Sequence, residues 1–371
     1  MRIIIINNFP TSTIFGDKID PWWFESQGFD VEFWDLSRIF FSRSRLSLYF
    51  SGNQSYKFLG PKHQYFTKKN DVLDKIESLG DGDIVWQISW TLSRVRIYDN
   101  WLLKSITHKK IPIVVKEFQT NPIFSGLRFV KQNIKDNISK FNFLNRHPSI
   151  YIGCGSVSRQ RANKIINTSK FVSIPSPNIL WEDATPEISG DYIVFVDDSI
   201  EYSPDAKMFN SEICNDLKGY YNRLNKVFSA LENKFKMPVI IGASGKYFYS
   251  DNKFEDRDII YKKTLSLIKN SNLVIGHSSI ALFQAIADEK PLLRLTDKSF
   301  VGVKIFDIHY WNVLISTDDI NTENISLILS KADREMDQPK NMSKVKEMFL
   351  CEEHLKSFNY REVIRDAILS L

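Results

Sequence analysis

The chain opens on four consecutive isoleucines, Ile3-Ile4-Ile5-Ile6, closed by Asn7-Asn8. An unbroken β-branched run ending in polar residues is the pattern of a parallel strand covered on both faces. Short apolar runs recur at Val31-Glu32-Phe33-Trp34, Asp83-Ile84-Val85-Trp86, Ile111-Pro112-Ile113-Val114-Val115 and Ile150-Tyr151-Ile152-Gly153, with helix-like stretches at 71–79 and 101–107. Such alternation predicts a wound parallel sheet with right-handed crossovers.

The pattern lapses over 173–190, where Pro175, Pro177 and Pro186 fall among polar residues. Proline denies the backbone both helical and central-strand hydrogen bonds, so this stretch reads as an interdomain connection. It divides the chain into an N-terminal domain, 1–178, and a C-terminal domain, 190–371. The second series begins with the strand Asp191-Tyr192-Ile193-Val194-Phe195-Val196, ending in Asp197-Asp198. A helix follows, with Tyr220, Leu224, Val227, Phe228, Leu231 and Phe235 on one stripe. The strand 237–241 exits into Gly242-Ala243-Ser244-Gly245-Lys246, and a helix covers 262–269. The strand 273–275 turns through Gly276-His277-Ser278-Ser279 into a helix at 280–288, and the strand 291–295 comes next. The stretch 322–371 reads as mostly helical.

With 371 residues, 43% of them hydrophobic and 25% charged, the chain has ordinary globular composition and enough length for two cores. Lys and Arg total 49 against 44 Asp and Glu, a surplus of +5 without a dense basic tract, which argues against nucleic-acid binding. Three widely spaced cysteines suit neither a disulfide framework nor a cysteine zinc site, and a reducing cytoplasm is the expected home. No apolar run approaches the roughly 20 residues that a spanning helix needs. Peripheral contact with the inner face of the cytoplasmic membrane stays open.

The sharpest candidate site is Gly276-His277-Ser278-Ser279, because a strand-to-helix turn exposes backbone N–H groups suited to phosphate. Ligands of open α/β sheets also bind outside the carboxyl ends of strands. In the second candidate, Ser244-Gly245-Lys246, small residues admit a ligand and a lysine offsets its charge; it lacks the spacing of a P-loop. Asp197 and Asp198 are candidates to hold a ribose or acceptor hydroxyl, to act as a base or to bind a divalent ion. At the strand ends of the first domain stand Asn8, Gln87, Glu117 and Gln119. Glu117, a carboxylate between an apolar strand and Phe118, suits general-base work. No histidine pair has metal-ligand spacing, and the first strand lacks the glycine pattern of nicotinamide or flavin proteins.

The run from Tyr192 through Asp197-Asp198, the helix from Tyr220-Tyr221 to Leu231, the strand before Gly242 and the segment from Ile268 to Ser279 resemble the nucleotide-binding half of bacterial GT-B glycosyltransferases. The likeness is to surface-polysaccharide enzymes of the sialyltransferase-like and Kdo-transferase-like kind, and it covers about 110 residues. Where that group commonly carries a His-Pro pair, this chain has Ala243-Ser244; the later Ser-Ser turn is present as Ser278-Ser279.

The resemblance implies two Rossmann-like α/β domains facing a cleft, with C-terminal helices, the donor on the second domain and the acceptor on the first. It implies transfer of a sugar from a nucleotide-activated, CMP-linked donor to a hydroxyl of a growing surface glycan or glycolipid, such as capsule or lipopolysaccharide. No metal or cofactor is expected. Donor contacts fall to Ser244, Gly245, Lys246, Gly276, His277, Ser278 and Ser279, acceptor contacts to Asn8, Gln87 and Gln119, and catalysis to Glu117, Asp197 or Asp198. Two alternatives stand beside it: a sugar-nucleotide epimerase of the same fold, and a degenerate partner that binds nucleotide without turnover.

Overall fold

Ile3 and Ile5 pack into one buried layer with Val31, Phe33, Ile84 and Trp86, while Ile4 and Ile6 pack into another with Trp34, Val85, Val115 and Tyr151. Successive side chains on a strand point to opposite faces, so the isoleucine run fills two layers at once. The computed structural model describes residues 1–10, 16, 19–50, 58–88, 100–116, 148–165, 170–203, 212–245, 247–301, 314–317, 322–337, 342–351 and 359–371.

The first sheet contains β1 (Arg2–Asn7), β2 (Asp30–Asp35), β3 (Gln64–Tyr65), β4 (Asp83–Ile88), β5 (Ile113–Lys116), β6 (Ile150–Gly153) and β7 (Phe171–Ser173). The second contains β8 (Ile193–Val196), β9 (Val239–Ala243), β10 (Ile259–Tyr261), β11 (Leu273–Gly276), β12 (Leu292–Thr296) and β13 (Leu314–Ser316). Their orders are β3-β2-β1-β4-β5-β6-β7 and β10-β9-β8-β11-β12-β13, and every pairing within them is parallel. Both are the doubly wound order of nucleotide-binding α/β folds, although the sequence carries no internal repeat. In each, the winding reverses beside the first strand, between β1 and β4 or between β8 and β11.

The first unit holds Met1–Ser47, Tyr56–Pro177 and Lys346–Leu371, and the main body of the second runs from Asn178 to Val345. The division after Pro177 lies at the proline-rich stretch. The C-terminal range differs from the expected 190–371, since residues 346–371 cluster with the first unit. The reason is the helix Tyr360–Leu369, whose Ile364, Ala367 and Ile368 complete the layer that holds Ile3 and Ile5. Asn359 caps that helix by accepting the Arg361 N–H.

In the second unit the helix Leu217–Phe235 lays Tyr220, Leu224, Val227, Phe228 and Leu231 against Ile193, Phe195, Ile241 and Ile275. It starts where Asp216 accepts the Gly219 N–H and ends at Lys236, which adopts the left-handed conformation of a helix stop. Among the described residues no helix is long and apolar enough to cross a membrane.

Candidate functional site

The reversal in the second sheet puts the carboxyl ends of β8 and β11 side by side, with Val196 opposite Gly276. Asp197 and Asp198 therefore stand next to His277 and Ser278, and on the other flank Val196 pairs with Gly242 of β9. Three of the sequence candidates, the acid pair and the segments after β9 and β11, thus share one sheet edge.

Asp198 is joined directly to the turn. Its Oδ2 accepts the Ser278 N–H at 3.0 Å and the Ser278 hydroxyl at 3.3 Å. The backbone donor expected to meet phosphate thus already meets a carboxylate of the chain itself. Burial raises the Asp198 pKa, and burial lowers that of neighbouring His277.

His277 is 1% exposed and lies in the core, unlike the ligand-contacting residue expected from the sequence. Its Nδ1 faces the Leu295 carbonyl at 2.9 Å, which only accepts, so Nδ1 carries the proton. Nε2 then accepts the Tyr220 hydroxyl at 2.9 Å. Both ring nitrogens are used in tying β11 to β12 and to the helix Leu217–Phe235, while Arg294 donates to the His277 carbonyl at 3.1 Å and 3.3 Å. Tyr220→Phe strands that buried acceptor and is expected to destabilise the protein by about 1–3 kcal/mol, read by urea denaturation at pH 7.5.

Ser279 accepts the Ala281 N–H at 3.4 Å, and the helix itself begins only at Leu282, later than the expected 280, and ends at Ala287. Gly276 is fixed by packing, because an added Cβ would sit 2.7 Å from Leu282 Cδ2. At Gly245 an added Cβ would come within 2.4 Å of the Lys262 side chain. Ser244 is half-buried, and Lys246 lies outside the described residues.

Asp197, 5% exposed, accepts the Ser199 N–H at 3.0 Å on Oδ1 and the Tyr249 hydroxyl at 2.7 Å on Oδ2. Burial pushes its pKa from the ordinary 3.8 up to about 6 against the pull of those two donors. Next along the edge, after β12, Asp297 takes a two-point grip from Arg223, with Nε at 2.8 Å and Nη2 at 2.6 Å. Burial would push Asp297 up, but Arg223, Ser299 and Thr317 outweigh it and hold the carboxyl well below the usual carboxylate range. The sequence reading missed Tyr249, Arg223 and Asp297. Asp297 carried the same signal as Asp197, an acid directly after a buried strand.

In the first unit Asn8 follows β1 and Gln87 lies within β4, opposite Ile6, so both flank the reversal of that sheet. Glu117 and Gln119 lie outside the described residues. Among the described residues no group of three or more His, Cys, Asp or Glu side chains is arranged to hold a metal ion.

No family model and no curated protein matches the sequence. Solved structures do match. Spinosyn forosaminyltransferase SpnP is 10% identical, with 100% of this chain and 98% of its own covered and a TM-score of 0.52. A Methanocaldococcus jannaschii UDP-GlcNAc 2-epimerase, in complex with UDP-GlcNAc and UDP, is 13% identical, with coverage of 100% and 99% and a TM-score of 0.50. The glycotransferase of kitacinnamycin is 9% identical, with coverage of 99% and 98% and a TM-score of 0.50. At identities this low the likeness establishes the fold, and the fold is GT-B: two Rossmann-like α/β domains.

Proposed function

We propose that the protein is a glycosyltransferase that moves a sugar from a nucleotide-activated donor to an acceptor hydroxyl. The observation that carries this reading is the polar edge at the reversal of the second sheet, where Asp197-Asp198, Ser244-Gly245 and Gly276–Ser279 come together. Open α/β sheets bind their ligands at this point. The finer reading is a CMP-linked donor and a surface glycan or glycolipid acceptor, with the enzyme working at the inner face of the cytoplasmic membrane.

In this reading the turns after β9 and β11 receive the donor phosphate, and Glu117 takes the proton of the acceptor hydroxyl. Asp197 is a poor candidate for that proton, since it is buried and both of its oxygens accept hydrogen bonds. Donors of the two turns other than the Ser278 N–H, which Asp198 holds, stabilise the departing nucleotide, and no metal is invoked.

Ligand that binds only the folded state stabilises it by about 2.7 kcal/mol at a hundredfold excess over Kd. One of the CMP-, UDP-, GDP- or TDP-sugars is therefore expected to raise Tm by several degrees, and flat traces with all four would overturn the reading. The epimerase neighbour favours a second reading, conversion of the donor sugar itself. Incubation without acceptor separates the two, because only an epimerase yields an isomeric nucleotide-sugar. Binding without any product would instead identify a degenerate partner.

A further inference from the structure

We propose that Asp197 and Asp198 are positioning residues that divide the switch point between them, Asp197 holding the segment after β9 and Asp198 holding the turn after β11. The functional half of this inference rests on the transferase reading, whereas the structural half does not. Neighbouring residues leaving an extended strand project to opposite sides, so two adjacent acids reach two different loops. The Asp197 N–H still donates to the Gly242 carbonyl at 3.2 Å, which keeps this residue in register with β9.

The two grips use separate partners. Asp197 takes Tyr249, whose backbone N–H donates in turn to the Tyr261 hydroxyl at 3.0 Å and whose ring meets Phe254 edge-on at 5.4 Å. Asp198 takes Ser278 through both its N–H and its hydroxyl, immediately after the pinned His277. The Tyr249 grip makes no use of Ser278, and the Ser278 grip makes no use of Tyr249. A carboxylate accepting from a backbone N–H makes a charge-assisted bond, stronger than a neutral one. Each acid thereby sets the position of one wall of the candidate donor site while taking no part in bond breaking.

Amide hydrogen exchange on the full chain, followed by mass spectrometry, tests the division. Asp198→Ala is expected to speed exchange over 276–281 by about tenfold and to leave 243–249 unchanged, and Asp197→Ala to do the reverse. Asp198→Asn keeps an acceptor oxygen for Ser278 and is expected to restore slow exchange. Asp197→Asn, which keeps one acceptor oxygen and can donate its amide to the Tyr249 hydroxyl, takes the place of the alanine variant at 197 if that variant fails to fold and is expected to loosen 243–249 less. Loosening of both segments by either variant, or of neither, would overturn the proposal. The same variants are then titrated with CMP, UDP, GDP and TDP. If wild type binds one of them, Asp198→Ala is expected to weaken it about tenfold and Asp198→Asn to recover it. Selective loosening together with no nucleotide bound by wild type would sink the donor reading and leave the two structural grips standing.

Discussion

Replacing Arg223 by alanine is expected to cost about 3–5 kcal/mol of stability, the penalty for stranding a buried carboxylate. The Asp297 side chain is 0% exposed and the Arg223 side chain 15%. Two parallel N–H bonds join them, a geometry in which a planar guanidinium matches both carboxylate oxygens. Ser299 and Thr317 also donate to Asp297, but neither supplies positive charge. Arg223→Lys keeps the charge and loses the fork, so it is expected to fall between alanine and wild type. Because the folded carboxyl titrates below its ordinary 3.8, the stability it contributes is present above that value and is lost as the pH falls further. Urea denaturation at pH 7 measures the effect, and a loss below about 1 kcal/mol, the range of exposed pairs, would show that the pair is solvated.

The second large effect runs the other way in pH. Asp197 has a folded pKa raised to about 6, so between about pH 4 and pH 6 the folded state holds a proton that the unfolded chain has released. Stability contributed by that proton is complete below 3.8 and disappears as the pH rises through 6. The difference, about two pH units at 1.36 kcal/mol each, amounts to at most about 3 kcal/mol. Asp198 shifts in the same direction, whereas neutral, buried His277 opposes both, because the unfolded histidine takes up a proton below pH 6.5. The clean readout is therefore the difference between wild type and Asp197→Asn. The two are expected to converge near pH 4, with the asparagine variant gaining on wild type up to about pH 7. Parallel stability curves across that window would contradict the assignment.

The fold was legible wherever one element's own residues decide its burial. Ile3–Ile6 announced a strand covered on both faces, and the stripe from Tyr220 to Leu231 announced the face that packs on the second sheet. Strand ends marked the polar edge, since a parallel sheet brings the residues that follow its strands to one side. What the sequence hid was pairing at long range. His277 meets Tyr220, 57 residues away, and Arg223 meets Asp297, 74 residues away, so neither local spacing nor composition records the contact. Local spacing likewise gave no sign that both ring nitrogens of His277 are taken up inside the core. The helix Tyr360–Leu369 was legible as a helix, but its place against the first sheet depends on an apolar face completed by Ile3 and Ile5. Very short strands such as Gln64–Tyr65 and Ile259–Tyr261 left no periodicity to read.

The account stands on nucleotide binding at the carboxyl edge between β8 and β11. A crystal structure of the full chain grown with CMP, UDP, GDP or TDP tests it most directly. The predicted result is phosphate density against Ser244-Gly245 and the turn Gly276–Ser279, with Asp198 still holding the Ser278 N–H. Nucleotide bound only at another surface, away from both turns, would contradict it.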